Sequence, residues 1–166
     1  MGDGMDNFEL AMMGVKIASE ILHINAPEVR FFIDKNSDER SINAVFNPKL
    51  YIIAFNENWL DTVQNNLEVM VTCFHESRHA YQYNVINGLY QGKDIVNEDT
   101  IKQWKHEFES YHSGSGVPSK DSKYLVQDIE IDAIAFAHKM MLEHFEVKTI
   151  IPESIIKEVT YKLKNN

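Results

Sequence analysis

A chain of 166 residues that is 44% hydrophobic can bury a core and reads as one domain spanning residues 1–166. Its 25 acidic and 16 basic residues leave a formal net charge of −9, which disfavours nucleic-acid binding because that needs a basic surface. One cysteine, Cys73, excludes an intramolecular disulfide and is expected to be a small packed residue.

The opening Met-Gly-Asp-Gly-Met-Asp-Asn has neither the basic nor the apolar region of a signal peptide. Asp6 also breaks the myristoylation pattern, and no apolar run approaches the roughly 18 residues of a membrane span. The expected setting is therefore the cytoplasm, with no membrane partner. Phe8, Met12, Val15, Ile17, Ile21 and Leu22 fall at helical spacing, which predicts an amphipathic helix over 5–23 that ends before Pro27. His23, at its end, is expected to cap the helix or lie at the surface.

Three β-rich runs follow, Val29–Asp34, Ile42–Phe46 and Tyr51–Phe55, separated by turn-like segments. They predict a small antiparallel or mixed sheet. Residues 56–61 read as a connection, with Asp61 or Thr62 as N-cap of a helix that Asn87-Gly88 stops. After an irregular loop over 89–97, Ile101, Trp104, Phe108 and Tyr111 predict a helix over 98–112, on or near which His106 and His112 are expected to be surface or core histidines. Residues 113–119, Ser-Gly-Ser-Gly-Val-Pro-Ser, read as a linker. A long helix from Leu125 to about Phe145 and a last helix starting at Pro152 complete an α+β chain.

The helix ending at Asn87 carries His75-Glu76-Ser77-Arg78-His79. Residues four apart on a helix share a face, so His75 and His79 can aim two imidazoles at one point. Neutral imidazole is a zinc ligand, and a catalytic zinc site takes three protein ligands with one position left for water. Glu76, rotated about 100° from His75, is placed to take a proton from that water rather than to ligate. Leu67, Met70, Val71, Phe74, Ala80 and Tyr81 make the helix apolar around much of its circumference. Two unpartnered histidines buried there would be costly, and a metal ion removes that cost.

A third ligand is required. The pattern with a further His six residues after the second is absent, because position 85 is Val85. A carboxylate from a later helix is the other solution. Asp128, at the helix start, suits an N-cap; Glu130, among core-like Ile129, Ala133 and Phe136, is the preferred ligand. Asp132 is either an acceptor for a ligand histidine N–H or a solvated acid.

With H-E-x-x-H followed by Glu130-Ile131-Asp132-Ala133-Ile134-Ala135-Phe136-Ala137, residues 28–146 resemble the gluzincin metallopeptidases, and within them the minimal zincins of the ImmA/IrrE type. That family pairs its motif with a later E-x-x-A-x-x-F-A. The resemblance implies a zincin-like fold, with a small three-stranded sheet on a central H-E-x-x-H helix. It also implies zinc held by His75, His79 and Glu130, Glu76 as the base, and a peptide or protein substrate. Tyr111, His112 and Tyr124 are candidate donors to the developing oxyanion. A substrate strand could add along Tyr51–Phe55. The competing expectation is a catalytically silent zinc-binding regulatory protein.

Overall fold

The computed structural model describes residues 4–34, 42–110, 125 and 127–165, and its elements form an α+β arrangement. Helix α1 (Asn7–Leu22) opens with a capping box in which Asp6 accepts from the Glu9 N–H and Glu9 accepts from the Asp6 N–H. His23 ends it in the left-handed conformation, φ 55°, as its C-cap.

Strands β1 (Glu28–Phe32), β2 (Ala44–Asn47) and β3 (Ile52–Asn56) form one mixed sheet in the order β1-β3-β2. β1 runs parallel to β3 with Val29 opposite Ile53, and β2 runs antiparallel to it with Phe46 opposite Ile53. Ile53 and Phe55 are fully buried because β3 lies between its two neighbours. That order corrects the expectation that a substrate strand would add along Tyr51–Phe55: both edges of this strand are already paired, and Tyr51 itself sits in a left-handed turn, φ 52°. The outer edges belong to β1 and β2.

Residues 56–61 are more ordered than expected. Asn56 accepts from the Asn58 N–H and starts a short helix, α2 (Glu57–Thr62). Asp61 and Thr62 therefore lie inside α2, and the N-cap of the central helix α3 (Asn66–Ile86) is Asn65, which accepts from the Leu67 N–H. The remaining helices are α4 (Glu98–Glu109), α5 (Asp128–Phe145) and α6 (Ile156–Asn165), the last entered through a 3-10 turn at Glu153–Ile155.

α3 is the hub. Val69 and Cys73 join the cluster of Val15, Phe46 and Phe55, while Met70 and Phe74 join that of Ala18, Ala137 and Met141. A further cluster sets Tyr81 against Leu22, Trp104 and Ile129. Burial of one such large apolar side chain contributes about 1.5–3 kcal/mol, so α3 is held on several sides at once. Gly14 lets α1 approach closely: a Cβ there would meet the Cys73 sulfur at 2.6 Å and the Met70 sulfur at 3.0 Å. Cys73 is thus a packed residue, and burial pushes its thiol pKa up. No helix among the described residues is long and apolar enough to cross a membrane.

Candidate metal centre

Of His75, Glu76, His79 and Glu130, three side chains meet. His75 and His79 leave one face of α3, and Glu130 leaves the first turn of α5 opposite them. The His75 Nε2 is 3.1 Å from Glu130 Oε2, the His79 Nε2 is 3.0 Å from Glu130 Oε1, and the two Nε2 atoms are 3.2 Å apart. The two histidines meet different oxygens of Glu130, and one ligand atom from each of the three residues lies within 4.8 Å of the others, against about 3.3 Å between neighbouring ligand atoms of a tetrahedral zinc with bonds of about 2.0–2.1 Å. Glu130 is fully buried, while the His75 side chain is 18% exposed, so the group opens to solvent on the His75 side.

The hydrogen-bond network settles the His79 tautomer. Gln82 donates through Nε2 to the Ile129 carbonyl at 2.9 Å and to Asp132 Oδ2 at 2.7 Å, so its Oε1 is the atom turned to His79. That oxygen lies 2.9 Å from His79 Nδ1 and must accept the Nδ1–H. A neutral His79 then presents its lone pair at Nε2, towards Glu130 and His75. Gln82 was absent from the sequence-level site. Its only sequence signal is its place at i+3 from His79, about one turn along the same helix.

Asp132 fits neither expectation for it. It is buried at 3% exposure, so it is not a solvated acid, and it bonds neither His75 nor His79. It takes a two-pronged pair from Arg78, at 2.8 and 3.1 Å, and holds the Gln82 amide. The Arg78 guanidinium lies 4.1 Å over the Tyr81 ring and 5.0 Å from the Phe136 ring centre. Asp132 thus acts on His79 at one remove, through Gln82.

The entry of α5 is capped from outside. Gln127 makes no capping bond; buried Glu107 of α4 accepts from the Asp128 and Ile129 N–H groups at 2.6 and 3.2 Å. Asp128 is not the cap, and instead accepts from the Trp104 indole and the Lys162 ammonium, at 2.8 and 2.9 Å. These contacts fix the first turn of α5 and with it the direction of Glu130.

Charge follows geometry. Burial would raise the Glu130 carboxyl, but charged His79 and the bonds from both histidines hold it well below the usual carboxylate range. Burial opposes a charged His79, yet Glu130 outweighs it and lifts the imidazole to about 9. Glu76 is raised, by burial first and by the Glu130 charge, against the opposing pull of His75 and His79.

Glu76 lies outside the group of mutually close ligand atoms. Its Oε2 accepts from the Phe46 N–H of β2 at 2.9 Å, which aims the carboxylate at the sheet edge beside the site. Tyr111, His112 and Tyr124, the oxyanion candidates, and the 113–119 linker lie outside the described residues. His106 sits exposed on α4 and takes no part. Comparison with protein-family models, with curated proteins and with solved structures finds no match, so the site is characterised by its own geometry.

Proposed function

We propose that this chain is a zinc-dependent metallopeptidase of zincin-like architecture, with His75, His79 and Glu130 as ligands and Glu76 as general base. The observation that carries the reading is the convergence of two imidazoles and one buried carboxylate within 4.8 Å, with a second carboxylate close by but outside that set. A structural site has no use for the second carboxylate or for an open side. Bound zinc would supply Lewis acidity to a water and to the scissile carbonyl. The residues do the rest. Gln82 fixes the His79 tautomer, Glu107 fixes the turn that carries Glu130, and Glu76 takes the water proton and passes it to the leaving amine. Burial raises its pKa, which favours a group that holds a proton between accepting it and returning it.

A peptide substrate is best accommodated at β2. Phe46 already turns its N–H away from β3 to Glu76, so the free edge of β2 runs past the base. The same bond gives the catalytically silent alternative its foothold, since there Glu76 would only fasten β2 to α3.

Glu76→Gln separates the two readings. The amide oxygen can still accept from Phe46, so the fold and zinc content should be unchanged. Cleavage of a mixed peptide library, read by mass spectrometry, should fall about 10²–10⁴-fold. No cleavage by the wild type at all, with zinc bound, selects the silent reading.

A further inference from the structure

A cavity of about 470 Å³, lined in part by the Arg78–Asp132 pair, lies between α1, α3, α5 and α6. None of His75, Glu76, His79 or Glu130 lines it. Its volume falls in the range of about 300–1,000 Å³ typical of small-molecule sites. Ile21, Phe136, Met140 and Leu163 give it apolar walls. Its charged lining runs against the rest of the chain: Arg78, Lys139 and Lys162 face Asp94 and Asp132, in a protein whose formal net charge is −9.

Most of those charges are already matched. Arg78 gives Nε and Nη2 to Asp132, Lys162 is held by Asp128, and Asp94 takes the Tyr81 hydroxyl at 3.1 Å. Two side chains still have donors to offer. The Lys139 ammonium has no hydrogen bond or ion pair to any described residue, and neither has Arg78 Nη1. Asp132 takes the side edge of Arg78, Nε with one Nη2 proton, which leaves the end edge, Nη1 with the other Nη2 proton, to receive one carboxylate. We infer that this cavity is a binding site for a small amphipathic monocarboxylate, its head group on Lys139 and Arg78 and its hydrocarbon body against the α1, α5 and α6 walls. A polyanion fits less well, because Asp94 and Asp132 share the lining. The inference is independent of the metallopeptidase reading, since the cavity and the metal centre share no residue of the ligand set.

The test is calorimetric titration of the whole chain, with and without zinc, with hexanoate, octanoate and decanoate, and with octylammonium as the opposite charge. One saturable site per chain is expected, with affinity rising about fourfold per added methylene in both metal states. Octylammonium should bind at least tenfold more weakly than octanoate. Lys139→Gln should weaken octanoate about tenfold while the melting curve stays in place. Methyl NMR of the wild type should move Ile21, Met140 and Leu163 and leave exposed Met12 and Met13 still. Equal binding of octylammonium, no dependence on chain length, absence of saturation, or shifts centred on Met12 and Met13 each overturn the assignment.

Discussion

Replacing Gln82 with Leu removes one amide of nearly the same volume and three hydrogen bonds at once. His79 Nδ1–H loses its acceptor at 2.9 Å, the Ile129 carbonyl loses a donor at 2.9 Å, and Asp132 loses a donor at 2.7 Å. Partners of this kind are worth about 10–100-fold in metal affinity, or roughly 1.4–2.7 kcal/mol. A buried donor left unsatisfied costs about 1–3 kcal/mol on its own, so the metal-free protein should also be less stable by about that amount. Gln82→Glu is the control. Its carboxylate keeps an acceptor for His79 but stands against Asp132, so the metal-free fold should weaken while zinc affinity stays near wild type. Zinc affinity is measured by competition with a chromophoric chelator at fixed pH, and stability by thermal melting after metal removal. A Gln82→Leu protein that binds zinc within twofold of wild type, with an unchanged melt, would refute the claim that Gln82 orients His79.

Ser77 is fully buried and its hydroxyl has no partner among the described residues, so Ser77→Ala should stabilise the protein by about 1 kcal/mol, a rise of about 2–4 °C in melting temperature; a lower melting temperature contradicts this. His79 in the metal-free protein is raised to about 9, so its share of stability is complete below its unfolded value near 6.5 and fades as pH climbs through 9. Metal must displace that proton at neutral pH. Zinc affinity should therefore rise about tenfold per pH unit between 7 and 9, with about one proton released per ion, as read by calorimetry in buffers of different ionisation enthalpy. A flat profile over that interval rules out His79 as the displaced acid.

The parts of the site that were legible were those with helical spacing. His75 and His79 stand four apart on one turn, and Glu130 sits among apolar neighbours that mark the inner face of α5. The parts that stayed hidden depend on contacts far apart in sequence. Nothing in β1 announces a parallel pairing with β3, which is why the edge expected along Tyr51–Phe55 lies inside the sheet instead. Gln82 and Glu107 carry side chains that usually face water, and only the packed helices turn one into a histidine acceptor and the other into a cap for α5. Asp132 was placed near the ligands but one hydrogen bond too close, because the spacing of α5 gives its direction and not its partner. α2 escaped because six residues are too few for a readable apolar period.

Metal content per chain after loading and gel filtration, in wild type, His75→Ala and Glu130→Ala, bears on the site most directly. One tightly held zinc is expected in the wild type and none in either variant, with each variant's helical circular dichroism retained. Stoichiometric zinc in Glu130→Ala, or none in the wild type, would contradict a centre built from two imidazoles of α3 and one carboxylate of α5.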